Sequence, residues 1–429
     1  MTIALYESIL KYLAEIIRKS DFKDHVFAVG GCVRDKHLNA EIKDIDLVVD
    51  LPNGGIDFAK YLESHGYTKG SVVTYENYGT VMFKLKAFPE IELEAVQTRK
   101  EDYHDAKTRN PVTCFGTIEE DCTRRDFTIN ALYYNISSGE EIDYNGNSLK
   151  DLHNKVIDTC GDPDIIFNED PLRILRAVRF AARLGYMISE RTKQGIKRHK
   201  ERLEIISQER ITDEFNKILS GPRPEIGLEM MHVLDLFPYV LPEFGDYVAN
   251  ELYQVVKDVH NIKVACVEDK QDSLTLILTY IARIVNPVIF RVVMHRMKYS
   301  NDDTEKVYLY ATALPKAEFT NEFKSTVHLR ELEYLLKTLE NYTAVFTLLK
   351  AVRKKPYVWE KMRPDQEHHM LGYNLPVDGY DIMETLNIGP SMKIKEVRDD
   401  LLCDAYVNPA ITKEECIERI KLRFGNKND

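Results

Sequence analysis

Two aspartates one residue apart, Asp44 and Asp46, follow a Gly30-Gly31-Cys32-Val33-Arg34-Asp35 turn. Side chains alternate across a strand, so residues i and i+2 share a face about 6–7 Å apart. Both carboxylates would then aim at one point, with Ile45, Leu47 and Val49 on the other face. Oxygen donors gathered in this way suit Mg²⁺, a hard cation. They also suit two such ions about 3.5–4 Å apart, the arrangement used for in-line attack on phosphorus. Two adjacent glycines let the backbone come close to a phosphate, and a helix N-terminus after them favours an anion. Alone, an Asp-x-Asp is commonly a solvated edge and a Gly-Gly pair a turn. Their combination at this spacing points to phosphoryl chemistry.

The elements that must position these residues follow from the pattern. His25–Val29 is an apolar run of strand length, a helix-like segment follows the glycines, and Asp44–Asp50 is the next strand. Residues 56–65 read as a helix. Ser71–Tyr75, Thr80–Lys86, Glu90–Thr98, Tyr133–Asn135 and Glu140–Tyr144 read as strands. This makes a mixed α/β head of about 150 residues. From Asp151 onward apolar residues recur with the helical period. Ile174–Leu184, Ile211–Leu219, Glu225–Leu236, Leu274–Ile284, Val307–Ala313 and Glu331–Lys337 all fit helices. Pro and Gly mark breaks near 221–224, 242–245, 287 and 372–379.

The chain has 429 residues, which implies roughly two to four domains. Its 58 basic and 69 acidic residues give a net charge of −11, which excludes a uniformly basic nucleic-acid binder and leaves room for a local basic face. The first 22 residues form an amphipathic pattern containing Glu7 and Glu15, unlike a targeting peptide. No apolar run reaches the length of a membrane span. The 7 cysteines contain no Cys-x-x-Cys pair and read as reduced thiols of a cytoplasmic protein.

Gly-Gly-x-Val-Arg-Asp followed by Asp-x-Asp resembles the active-site signature of the tRNA nucleotidyltransferase and poly(A) polymerase family, class II of the polymerase-β-like superfamily. The resemblance implies an α+β fold: a mixed-sheet nucleotidyltransferase head over 1–150, then an all-helical neck (151–220), body (221–330) and tail (331–429). It implies that Asp44 and Asp46 carry catalytic Mg²⁺ and that Gly31 and Arg34 contact the nucleotide. Arg124-Arg125-Asp126-Phe127-Thr128-Ile129-Asn130-Ala131 is similar to a second family motif, in which Arg125 with Asp126 would read the ribose hydroxyls. Asn168 through Arg179 reads from its residues as a helix capped by Asn168, with Pro171 in its first turn and Gly185 at its end. Arg173, Arg176 and Arg179 recur every three residues and share one arc of that helix. A solvated arginine face is the plain alternative. The resemblance makes Asp170 and Arg173 the pair that selects the incoming base, accepting C and A, and Arg176 and Arg179 the triphosphate-side arginines.

Three further segments complete the likeness. Asp143-Tyr144-Asn145-Gly146 with Asp151-Leu152 resembles the family's hinge between head and neck, and Glu209–Glu214 resembles a brace of the neck helices. Val377–Leu386 resembles a tail motif. Glu94 aligns with an acidic position upstream of Arg99 and is a possible third carboxylate, with a solvated strand residue as the alternative. The polar stretch Glu101–Gly116 matches the loop of full CCA-adding members, which CC-only members lack. The stretch Tyr78–Leu85 lacks the Gly-Arg-Arg-Phe element of bacterial poly(A) polymerases. The region 246–290 echoes a metal-binding HD domain without its His-Asp pair. His368-His369 beside Glu367 is a loop pair before it is a metal site. The resemblance is strong over 25–220 and weak over 221–429. It implies template-independent building or repair of the CCA end of tRNA from CTP and ATP, with tRNA as the partner and no membrane or protein partner. Poly(A) synthesis, partial CC or A addition, and a non-catalytic RNA-binding relative are the alternatives.

Overall fold

The computed structural model describes residues 1–75, 79–102, 112–323, 335–336, 338–353, 375–408 and 410–425. The chain forms two compact units, Met1–Val240 and Leu241–Asp429.

The first unit begins with a helix, α1 (Ile3–Ile17), whose Tyr6, Ile9, Leu10, Leu13 and Ile17 recur at helical spacing and are buried. A seven-stranded sheet follows, in the order β3-β4-β5-β2-β1-β8-β9. Its strands are β1 (Val26–Val29), β2 (Ile45–Val49), β3 (Val73–Tyr75), β4 (Thr80–Leu85), β5 (Phe88–Gln97), β8 (Tyr133–Asn135) and β9 (Glu141–Ile142). The numbers β6 (Arg99–Asp102) and β7 (Val112–Phe115) belong to a separate antiparallel strand pair. The β2–β5 pairing is parallel and the others in the sheet are antiparallel. A mixed sheet of this kind is what the family resemblance implies.

Both faces of the sheet are covered, which is why β2 is apolar at nearly every position. Helix α2 (Gly31–His37) links β1 to β2, and α3 (Gly54–Ser64) packs on β2, β4 and β5. On the opposite face Phe27, Val29, Val48, Ala131 and Tyr133 form one cluster with Ile118 and Cys122 of α4 (Ile118–Thr123). Thr117 and Glu120 close a reciprocal capping box at the start of α4.

The rest of the first unit is helical, with α5 (Ser148–Asn154), α6 (Pro163–Glu169), α7 (Leu172–Leu184), α8 (Glu190–His199), α9 (Gln208–Ser220), α10 (Pro224–Val233) and α11 (Phe237–Val240), except that a short parallel strand pair, Val156–Ile157 with Met187–Ile188, interrupts the stretch 151–220 expected to be all-helical. Helix α7 packs on α9 and α10. Gly185 ends it in the left-handed region, with φ +70°. The expected cap at Asn168 is not observed. Asn168 lies in the last turn of α6, which starts earlier because Asp162 caps it through the Asp164 N–H and Pro163 occupies its first turn. Pro171 instead stands at the N-cap of α7.

The second unit is helical throughout its described residues, with helices at Pro242–Asp269, Ser273–Val285, Pro287–Arg296, Asn301–Phe323 and Leu339–Arg353. Pro242 and Pro287, read as breaks from the sequence, open helices, because the first turn has no use for the missing N–H. Helices Gly379–Leu386, Met392–Val407 and Lys413–Phe424 enclose a core of Val377, Ile382, Val397, Leu401, Ala405, Ile411, Cys416 and Ile420. Most of the expected helix Glu331–Lys337 and the pair His368-His369 lie outside the described residues. No helix among the described residues is long and apolar enough to cross a membrane.

Candidate active site

The sheet register puts the start of the glycine motif beside Asp46. Val29, the last residue of β1, pairs with Asp46, and Asp46 pairs on its other side with Glu94 of β5. Asp44 is exposed one residue before β2 and Asp46 is partly buried, while Ile45, Leu47 and Val49 are buried on the α3 side. The predicted division of the strand into a carboxylate face and an apolar face is therefore observed. Gly30 adopts φ +79°, and a Cβ there would stand 3.6 Å from an Asp46 carboxylate oxygen. Glycine is needed for the backbone to turn at that point.

Burial first, then the charges of Asp44 and Glu94, push the Asp46 carboxyl up to about 6, with Arg125 pulling it back. Burial and Asp44 likewise raise Glu94. Like-charged carboxylates crowded in this way hold a proton or a cation more readily than isolated ones.

A cleft of about 300 Å³ opens above the aspartates. Of the residues singled out from the sequence, Gly31, Arg34, Asp44, Asp46, Arg125, Asp126, Arg176 and Arg179 all line it. With Asp35, Lys43 and Arg183 the lining holds four carboxylates against five guanidiniums and one ammonium, a local positive balance within a chain of net charge −11. That excess of fixed positive charge matches a polyphosphate.

One chain of charged hydrogen bonds holds this lining together. Arg34 donates from Nε to Asp35 Oδ1 (2.7 Å) and from Nη1 to Asn130 Oδ1. Asn130 donates to Asp126 Oδ1 (3.2 Å), and Asp126 Oδ2 accepts from Arg176 Nε (2.9 Å) and Nη2. Arg176 and Arg179 approach Glu214 of α9 at 3.9 and 3.3 Å. The guanidiniums of Arg34, Arg176 and Arg179 also surround the ring of Phe180, at 5.4, 5.7 and 4.6 Å from its centroid. Burial alone would raise the Asp126 carboxyl, but Arg176 and Asn130 bring it down to about 2.

Asp126 also accepts the Phe127 N–H (2.8 Å), so four donors already occupy its two oxygens. A carboxylate has about four acceptor positions. In this arrangement Asp126 works as the join between the 125–130 segment and α7, and a sugar hydroxyl would have to displace one of its partners.

Asp170 and Arg173 are not part of the cleft lining. They sit at the start of α7, one turn before Arg176. Asp170 accepts the Leu172 N–H (3.2 Å) and pairs with Arg210 (2.9 Å), while Arg173 is buried and pairs with Glu169 (3.2 Å). Arg210 and Glu214, in the segment expected to brace the neck, thus bind α9 to α7. The expected hinge forms a turn at Asp143–Gly146, and the Thr128 hydroxyl donates to Asp151 at 2.8 Å. Of the polar stretch 101–116, residues 103–111 lie outside the described residues.

Sequence reasoning missed Asp35, Asp121, Asn130, Tyr133 and Phe180. Asn130 and Asp35 lie inside recognised motifs, so their proximity was the available signal. Asp121 gave none, because it reads as one charge in an acidic first turn.

A model of the poly(A) polymerase head domain matches residues 26–158, and one described as a probable RNA and SrmB-binding site of polymerase A matches residues 185–247. Over these two stretches the chain is similar to the poly(A) polymerase family. It is 33% identical over 250 residues to the tRNA nucleotidyltransferase cca1 of Schizosaccharomyces pombe, a match that covers 54% of this chain and 48% of that one. It is 37% identical over 240 residues to the CCA-adding enzyme of Limosilactobacillus reuteri, covering 56% of this chain and 52% of that one. The chain spans about half the length of the curated relatives it matches. Its fold is that of the Bacillus stearothermophilus CCA-adding enzyme solved in complex with CTP. That likeness has a TM-score of 0.71 at 22% identity and covers 97% of each chain.

Proposed function

We propose that this chain adds nucleotides to the 3′ end of tRNA without a nucleic-acid template, building or repairing CCA from CTP and ATP with release of pyrophosphate. The observation that carries the reading is the cleft in which Asp44 and Asp46 face Arg34, Arg125, Arg176 and Arg179. The relatives named as CCA-adding enzymes and the CTP complex of a protein of the same fold support the choice of substrates.

Asp44 and Asp46 would hold Mg²⁺ as a pair of ions, which ease deprotonation of the attacking hydroxyl and offset charge on the leaving group. The residues fit that group. They are oxygen donors crowded enough that the charge of Asp44 helps raise Asp46, and Glu94 stands next to Asp46 in the register. Among the described residues no group of three or more His, Cys, Asp or Glu side chains is assembled to enclose a metal. The remaining ligands would come from phosphate oxygens and water, as is usual for Mg²⁺ in phosphoryl transfer.

The chain's own residues do the positioning. Gly30 and Gly31 let the backbone approach the nucleotide, and Arg34, Arg176 and Arg179 hold the triphosphate. The tRNA 3′-oxygen then forms a bond to the α-phosphorus as the bond to pyrophosphate breaks, and its proton passes to solvent. Fixed guanidiniums stabilise the charge that develops without reorganising. Arg125 reads the ribose beside Asp126, and Asp170 with Arg173 selects C or A once their pairs with Arg210 and Glu169 are shared or opened. We assign 1–150 to nucleotidyl transfer, 151–220 to base choice, and 221–330 and 331–429 to the tRNA, gripped through shape and phosphates. The described cysteines are free thiols, which suits a cytoplasmic setting.

The test is product length. Purified protein is incubated with Mg²⁺, CTP, ATP and tRNA ending at the discriminator base, and the product is resolved at single nucleotides. Growth by three residues that stops there and requires CTP before ATP is the expected result. A long A ladder means poly(A) synthesis, and stopping after CC or adding only A means partial addition. No growth overturns catalysis by this chain.

A further inference from the structure

Asp121 lies outside the lining of the cleft, is fully buried on α4, and is engaged through both oxygens. Its Oδ2 accepts from Arg125 Nε (3.1 Å), Arg125 Nη2 (2.8 Å) and the Tyr133 hydroxyl (2.8 Å). Its Oδ1 accepts from Arg124 Nε (3.1 Å) and Nη2, and from the backbone N–H of Arg99 (3.4 Å), the first residue of β6. Arg124 Nε also donates to the Arg99 carbonyl at 2.9 Å. The Tyr133 hydroxyl accepts in turn from Arg125 Nε (2.8 Å), and the guanidinium lies 5.2 Å from the Tyr133 ring centroid.

Arg125 is therefore clamped along its Nε–Nη2 edge by two groups that do not line the cleft. Its Nη1 has no hydrogen-bond partner among the described residues, and Arg125 itself lines the cleft. A long cationic side chain left loose would have to be ordered by each incoming nucleotide. Here the ordering is done in advance, so less of the nucleotide's binding energy is spent on it. A buried carboxylate costs heavily in desolvation unless fully paired, and this one is paired on every side.

We propose that Asp121 is a positioning residue that fixes Arg125 so that its Nη1 end meets the sugar of the incoming nucleotide. Through Arg99 and Arg124 it ties that aim to the root of the β6–β7 strand pair. The inference rests on the reading of the cleft as a nucleotide site and assigns Asp121 a part that no motif marks. Asn is the informative substitution, because both oxygens of Asp121 only accept. An amide must turn its N–H₂ towards either Arg124 or Arg125, and one clamp is lost.

The test compares the full chain with Asp121→Asn, Tyr133→Phe and Arg125→Lys. The readout is kcat and KM for CTP and for dCTP on tRNA ending before CCA. The ratio of the two kcat/KM values is independent of the fraction of enzyme that is folded, so structural damage alone leaves it unchanged. Asp121→Asn should lower that ratio on the order of tenfold, mostly through KM for CTP, because small misplacements of a positioned group carry large rate penalties. Tyr133→Phe should lower it in the same direction by less. It decides the matter if Asp121→Asn does not fold. A wild-type ratio in both variants, alongside a reduced ratio in Arg125→Lys, overturns the role of Asp121 and leaves the ribose reading intact. An unchanged ratio in Arg125→Lys overturns the ribose reading and the inference with it.

Discussion

Replacing Asp126 with asparagine tests the network that joins the 125–130 segment to α7. The Asp126 side chain is 10% exposed, so solvent screens its interactions little. Its carboxyl is held near 2, against about 3.9 for an unperturbed aspartate, and each pH unit of difference is worth about 1.4 kcal/mol. The ionised carboxylate thus contributes about 2–3 kcal/mol to the folded state at pH 7. Its pKa is depressed by folding, so the contribution is complete above the unfolded value and is lost as pH falls through the folded one. About half should be gone by pH 3. Asn keeps the shape and removes the charge. The variant should therefore be destabilised by about 2 kcal/mol at pH 7 and by roughly half that at pH 3. Urea unfolding can be combined with hydrogen exchange of the amides in Leu172–Leu184. The helix Ser273–Val285, in the other compact unit, serves as an internal control that should not change. A deficit under about 0.5 kcal/mol at pH 7, or one that does not shrink on acidification, would refute the reasoning.

Three other outcomes are expected. Asp44→Ala should abolish nucleotide addition while leaving the unfolding transition and tRNA binding near wild type, since Asp44 is exposed and holds nothing in the core; substantial addition by the variant removes Asp44 from the site. Asp170→Ala or Arg173→Ala should blur the choice between CTP and ATP more than it weakens tRNA binding, as read by misincorporation at each of the three steps. Phe180→Leu should raise KM for CTP about three- to tenfold with a smaller change in kcat. It removes the ring face shared by three guanidiniums, an interaction worth about 0.5–1 kcal/mol for each exposed pair; an unchanged KM would mean the arginines hold their places without it.

The parts of the site that were legible in the sequence follow from local geometry. The two-residue period puts Asp44 and Asp46 on one face, and the three-residue recurrence of arginines keeps Arg176 and Arg179 on one side of α7. What was not legible depends on pairing partners distant in the chain. Glu94 shares a face with Glu92 in any strand, and only the β2–β5 register brings it beside Asp46. Asp121 stands in a Glu-Glu-Asp run, where a solvated helix face is the natural reading. Its burial comes from the packing of α4 on Phe27, Val29 and Tyr133. The misplaced start of α7 is a different failure. Asn168 has good capping chemistry, but Asp162-Pro163 is an equally strong start signal upstream, and the chain uses it to build α6 first.

The position of β2 within the sheet has a consequence for how this sequence can vary. Asp46 is fixed from both sides, by Val29 and by Glu94. Losing or gaining one residue between Ile45 and Val49 would turn the strand's alternation over, bringing apolar side chains into the cleft and an aspartate under α3. No neighbouring substitution can undo such a frame change, because the fault lies in parity and not in chemistry. Length variation in this part of the chain is therefore confined to the segment between His37 and Lys43, where an added residue lengthens a connection without altering which way the aspartates face.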